Sequence, residues 1–313
     1  MHSRTQLQVG AAATLAAAAF VHQRAWQAER SNPPMGPFID VDGVRLHYVE
    51  RGEGPPLVML HANCSMIQEL MLSGLFELAT ARYRVIALDR PGFGRSARPR
   101  LKWWGPHAQA ALLRKMLVQL GIERPILFGH SFGAMIALAF ALDYPAAARS
   151  LVLASGYYFP TGRLDMPLMA PPAIPLIGDL MRHTISPLIA RVLWPSMLKL
   201  LFSPAPVPRY FERFPMWMAL RPSQLRASAE ETAPSIPSAI RLQRLYGALE
   251  VPAVIVAGAQ DRYVDHVRHS VELARRIPRS ELMLSPRAGH MVHHVDPRRV
   301  LQAIESAARE AAH

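Results

Sequence analysis

The 313-residue chain has one cysteine, Cys64, and only three lysines, at 102, 115 and 199. A single thiol excludes an intrachain disulfide framework, so the fold must stand on its core alone. Cys64 itself reads as a small buried residue rather than a reactive thiol. The shortage of lysine leaves a net charge of +12 carried almost wholly by arginine. Those arginines are scattered, and no basic run interleaves with aromatics, which argues against a nucleic-acid partner. An anionic membrane surface suits such a charge better.

Also missing is an apolar run of the roughly 20 residues that a bilayer crossing needs. The nearest approach is the alanine-dominated stretch from Val9 to Val21, preceded by Arg4 and followed by polar residues up to Pro33-Pro34. That layout matches a signal-peptide core or an uncleaved anchor, with a cytosolic helical extension as the alternative. It predicts membrane association or export through residues 7–22 and places residues 1–34 outside the catalytic fold. There are no internal repeats. Half the residues are hydrophobic and 19% are charged, an ordinary globular composition.

Eight short segments have strand character. Phe38–Val41 and Arg45–Glu50 flank Asp42-Gly43, a hairpin signal. Leu57–Leu60, Arg84–Leu88, Ile126–Phe128, Ser150–Leu153, Ala253–Ala257 and Glu281–Leu284 are apolar runs of buried-strand length. Helical patterns over Met66–Ala79, His107–Leu120, Gly133–Leu142, Val267–Arg276 and Pro297–Ala311 alternate with them. Runs buried on both faces and separated by helices predict a mostly parallel sheet in an α/β protein. The alternation stops from Tyr157 to Gly247, a segment that holds 14 of the 28 prolines. So much proline predicts short helices only, arranged as a lid on the sheet. The expected division is therefore a core in two parts, 35–156 and 248–313, with a cap at 157–247.

Gly129-His130-Ser131-Phe132-Gly133 lies between an apolar strand and an apolar helix. That setting is what a nucleophile elbow requires: a sharp turn that exposes a serine hydroxyl, with glycines where side chains would clash. The helix N-terminus then offers positive character to a developing oxyanion. A serine needs a base, and the order of nucleophile, acid and base is met by Asp261, just after the strand 253–257, and His290, just after 281–284. Both fall at C-terminal strand ends, where open α/β sheets build their sites. His293, His294 and Asp265 are weaker rivals, being farther from the strand ends. Backbone N–H groups of Phe132 and Asn63, the latter in His61-Ala62-Asn63-Cys64, are the expected oxyanion donors. Asp89-Arg90-Pro91-Gly92-Phe93-Gly94-Arg95-Ser96 reads as a structural loop. Tyr157 and Tyr158, at the cap's entry, are the expected substrate-facing residues.

Together these motifs resemble the α/β-hydrolase superfamily, in its lid-bearing single-domain branch, from about Phe38 to Ala308. The resemblance implies an eight-stranded sheet, a cap after the sixth strand, no cofactor, and hydrolysis of a small ester-like substrate. Two departures stand out. The oxyanion loop has Ala62 where the family usually has glycine, and the elbow carries Ser131 where dehalogenases and epoxide hydrolases carry aspartate. The carbon–carbon bond hydrolases typically show His-Gly-Ser-Gly-Pro and Gly-His-Trp, against His61-Ala62-Asn63-Cys64 and Gly289-His290-Met291 here. Ester or lactone hydrolysis is the leading expectation. Carbon–carbon bond hydrolysis, a haloperoxidase-like role and ligand binding on a hydrolase scaffold are the alternatives.

Overall fold

Strand formation follows the apolar runs closely. The computed structural model describes residues 2–162 and 165–311. Its strands are β1 (Phe38–Val41), β2 (Val44–Arg51), β3 (Pro56–Leu60), β4 (Arg84–Leu88), β5 (Ile126–His130), β6 (Ser150–Ala154), β7 (Ala253–Gly258) and β8 (Ser280–Ser285). They form one sheet in the order β1-β2-β4-β3-β5-β6-β7-β8. β1 and β2 make a hairpin through Asp42 and Gly43, both at positive φ as a two-residue turn demands. β2 pairs antiparallel with β4, and every pairing from β4 to β8 is parallel. β5, β6 and β7 are buried at every position, as a sheet covered on both faces requires.

Each face has its own apolar layer. The helices α4 (Pro106–Gln119), α5 (Phe132–Asp143) and α12 (Glu272–Arg276) contribute to one of them. Covering the other are α2 (Ile67–Leu72), α3 (Leu75–Thr80), α13 (Val292–Val295) and α14 (Pro297–Glu310). α5 is apolar on all sides and buried from Phe132 to Ala141, which fits a helix at the centre of the molecule. The expected helix Met66–Ala79 is instead divided, because Gly74 adopts φ +77° between α2 and α3. Val267–Arg276 likewise opens with a wide π-type turn before α12.

Between β6 and β7 the chain builds the cap: α6 (Met166–Met169), α7 (Ile177–His183), α8 (Ser186–Phe202), α9 (Met216–Ala219), α10 (Pro222–Thr232) and α11 (Ser235–Leu242). The expectation of short helices only is corrected by α8, which runs 17 residues with Pro195 inside it. Proline is harmless in a first turn, where Pro167, Pro187 and Pro222 sit, since no intrahelical donor is lost there. Pro195 lies on the exposed side of α8, so its ring does not intrude on the packed side of the helix.

Ahead of the sheet, α1 spans His2–Ser31, about 45 Å of helix. It adds no strand, but it is not detached. Its C-terminal half buries Val21 and Ala28 against the cap. Phe20 meets Trp217 edge-on, Arg24 lies over the same ring, and Glu29 pairs with Arg221 at 2.7 Å. Arg95 donates to the carbonyls of Glu29 and Asn32. Residues 8–16 are exposed. Among the described residues no single helix is long and apolar enough to cross a membrane.

Candidate active site

β5 ends at His130 and α5 begins at Phe132, which leaves Ser131 alone at the turn with φ +53° and ψ −115°. A serine at positive φ is strained and persists only where its surroundings over-determine it. Here they do. A Cβ on Gly129 would lie 2.4 Å from the Gly133 carbonyl oxygen, and one on Gly133 would lie 2.3 Å from that of Leu60. The elbow is therefore packed too closely for side chains on either side of the serine.

Two loops at the C-terminal edge of the sheet meet this turn. His290, beyond β8, brings Nε2 to 3.1 Å from Ser131 Oγ and Nδ1 to 2.8 Å from Asp261 Oδ2. Asp261 Oδ1 accepts the N–H groups of Tyr263 and Val264 at 2.8 and 2.9 Å, which fixes the carboxylate plane. With Nδ1–H donating to Asp261, Nε2 is the acceptor for the serine hydroxyl. All three residues are buried. The rivals point elsewhere: Asp265 accepts from Val267 and Arg268 N–H, while His293 and His294 turn toward Glu69.

Asn63 and Phe132 line the same cavity as Ser131 and His290. Phe132 opens α5, where a helix leaves its first N–H groups without intrahelical partners. The loop that carries Asn63 is held from beneath by Arg90, whose guanidinium donates to the His61 and Ala62 carbonyls at 2.9 and 3.0 Å. Arg90 is fully buried and forks onto Glu231 of α10 at 2.5 and 3.0 Å. His61 Nε2 accepts the Arg90 backbone N–H at 3.1 Å. Burial, then the nearby Arg90 charge, push the His61 pKa down to about 3. The Asn63 amide in turn donates to Ser228 and Thr232 of α10. Asp89 ties the same region together, accepting from Ile67 and Arg95 N–H and pairing with His47 at 2.7 Å. The loop 89–96 thus has the structural role its composition suggested.

The cavity's roof is apolar, built from Trp194, Leu198, Leu201, Phe211 and Phe214. Tyr157 lines it and Tyr158 does not. The expectation for Tyr158 is corrected: it is fully buried in the layer below, beside the Gly156 N–H, and its carbonyl accepts from Tyr246. Cys64, expected to be buried, is partly exposed at φ +59° and lines the cavity. Tyr263 also lines it, with its ring 4.9 Å from that of His290 and its hydroxyl donating to Asp165. Nothing in the local sequence marks Tyr263 except its place two residues after Asp261.

A second polar group lies behind His290. Glu69 Oε1 receives Nε2 of both His293 and His294, at 2.5 and 2.6 Å, and Oε2 accepts from Ser65. Burial resists ionisation of Glu69, yet His293 and His294 hold its carboxyl well below the usual range. His130 accompanies them, donating Nε2–H to the His290 carbonyl at 3.0 Å, and burial holds it neutral. Glu69, His130 and His293 bring ligand-type atoms within 4.8 Å of one another. The carboxylate is already committed to hydrogen bonds, so the group reads as a buried brace for the His290 loop.

Residues 55–297 match the model of the alpha/beta hydrolase fold family. The chain belongs to that family. The 2-hydroxymuconate semialdehyde hydrolase of Pseudomonas sp. (strain CF600) is 30% identical over 279 residues, covering 84% of this chain and 90% of that protein. A thermophilic esterase from Thermogutta terrifontis (malate bound) superposes with a TM-score of 0.72 at 24% identity, covering 88% of this chain and 99% of its own. A membrane phospholipase A, described as a bacterial virulence factor, gives 0.68 at 22% identity over 99% of this chain and 97% of its own, a span that takes in α1. Both structures establish the fold. This α/β hydrolase places the elbow, the acid-bearing loop and the histidine loop on one edge of the sheet, beneath the cap.

Proposed function

We propose that the protein hydrolyses a carboxylic ester or lactone of a small, largely apolar substrate through an acyl-serine intermediate. Ser131 Oγ attacks the carbonyl carbon while His290 Nε2 takes its proton. The Phe132 and Asn63 N–H groups receive the oxyanion. The C–O bond to the leaving alcohol then breaks, and His290 returns the proton to that oxygen. Water, deprotonated by His290, attacks the acyl-serine, and its collapse releases the acid and restores Ser131–OH. Asp261 stabilises the imidazolium in both halves. The observation that carries this reading is the linked 3.1 and 2.8 Å contacts from Ser131 through His290 to Asp261, opening into an apolar cavity.

The test is a p-nitrophenyl ester series from acetate to decanoate, with wild type beside Ser131→Ala. Turnover that falls by about three orders of magnitude or more in the variant supports the reading; equal rates reject it. A second reading, carbon–carbon bond hydrolysis, is favoured by the 30% identical relative, which is named as a semialdehyde hydrolase. A vinylogous keto-acid substrate cleaved faster than every ester would move the assignment there.

A further inference from the structure

The cap's outer surface is far more apolar than a water-facing surface needs to be. On α7 and α8, and on the turn before them, Leu176, Ile177, Leu180, Ile185, Val192 and Leu193 are all exposed, Leu176 at 84% and Val192 at 77%. The inner side of α8 is apolar too, since Trp194 and Met197 face the cavities. A helix apolar on both sides normally has apolar material on both sides. α7 and α8 meet at a 62° bend and together are long and apolar enough to enter a membrane. α1 joins the same face: His22 stacks on His183 of α7 with ring centroids 5.0 Å apart, and Val9 and Leu15 are exposed beyond it.

Charge selects the occupant. From Leu180 to Phe211 the sequence contains no acidic residue, and none precedes Glu29. Arg191, Lys199 and Arg209 are exposed along the cap stretch. The nearest acid, Asp179, is taken by Arg182 and Arg100. A second copy would oppose cations to cations on a chain of net charge +12. An anionic bilayer supplies both the apolar interior and the complementary charge.

Under this face lies a second apolar cavity, walled by Leu168, Ile189 and Leu193. It shares Cys64, Met169, Trp194 and Met197 with the cavity over Ser131. We propose that α7–α8 and the N-terminal half of α1 seat on an anionic lipid surface, and that the two adjoining cavities receive the acyl chain of a lipid ester drawn from it. The acyl-chain part rests on the ester-hydrolase reading; the lipid surface does not.

The experiment uses the full chain with vesicles of phosphatidylcholine, alone or mixed with phosphatidylglycerol, and Leu176→Asp/Val192→Asp beside wild type. Wild type should co-sediment with the mixed vesicles and be released by salt. The double variant should bind about tenfold more weakly while hydrolysing p-nitrophenyl acetate at the wild-type rate. Wild type left in the supernatant, or a double variant that sediments equally well, overturns the surface. A dimer in sedimentation equilibrium that the double variant dissociates assigns the face to a second copy instead. For the cavities, Met197→Trp should lower decanoate turnover about tenfold relative to acetate; an unchanged chain-length profile overturns that part. Vesicle binding without hydrolysis of any ester would defeat the ester reading and leave the lipid surface standing.

Discussion

Asp261 has two jobs in one carboxylate, orienting His290 with Oδ2 and anchoring its own loop with Oδ1. Asp261→Asn keeps the shape but can donate to Nδ1, which stabilises the wrong tautomer. Its turnover on a p-nitrophenyl ester is expected to fall about 10⁴-fold with little change in melting temperature. His61 makes a pH prediction. Its folded pKa of about 3 lies below the ordinary 6.5, so the neutral form belongs to the folded state. The stability it contributes is fully present above pH 6.5 and is lost as pH falls through about 3. The urea midpoint of wild type should therefore fall as pH drops across that window, and His61→Gln should flatten the dependence. Ser131, Asp261 and His290 were legible in the sequence because each follows a recognisable strand. Glu69 was not: it lies mid-helix on α2, and its partners His293 and His294 are more than 200 residues away. Tyr158 misled because two adjacent tyrosines look alike in sequence, although only Tyr157 reaches the cavity.

Among the elements, α10 is the one fastened to the catalytic edge. Glu231 receives Arg90 and Gln109, Glu230 receives Arg98, and Gln224 spans the Ser65 carbonyl and the Gly94 N–H. Removing one partner of a buried ion pair strands the other charge. Glu231→Ala is expected to cost about 3–5 kcal/mol in denaturant unfolding. It should also lower kcat on the proposed ester substrates, because the Arg90 fork that holds the loop carrying Asn63 loses its anchor. A double-mutant cycle with Arg90→Met separates pair energy from packing. The strands were readable to within about two residues because buried runs have a fixed length. Helix interruptions were less so. Gly74 breaks α2 from α3 through its backbone conformation, whereas Pro195, the stronger breaker in isolation, does not end α8. Tertiary packing overrides local propensity in the second case and agrees with it in the first.

For the whole molecule, the sequence set residues 1–34 apart from the catalytic fold; in the structure α1 adds no strand to the sheet but packs on the cap and receives Arg95. That it rests on the cap through Phe20, Arg24 and Glu29 could not be read from composition, since Trp217 and Arg221 sit almost 200 residues away. Arg221→Ala removes the Glu29 pair and the guanidinium contact to the Gly94 carbonyl. Limited proteolysis should then cut sooner between residues 24 and 34 than in wild type, while the sheet core stays resistant. Equal cleavage rates would show that apolar contacts alone hold α1.

The cap is thus fastened unevenly. α10 is riveted to the core by charged and amide groups, while α8 lies over the cavity through apolar side chains and, at its C-terminal end, a backbone hydrogen bond from Met291 N–H to the Leu201 carbonyl at 3.2 Å. Apolar contacts carry no register, and a backbone hydrogen bond does not depend on the side chain, so the cavity-facing side chains of α8 ahead of Leu201 can change with little effect on the Ser131–His290–Asp261 contacts. The same number of changes in α10 would travel through Arg90 and Asn63 into the loop 61–64 beside Ser131. Natural or engineered divergence in what this scaffold accepts should therefore accumulate on α8 and spare α10.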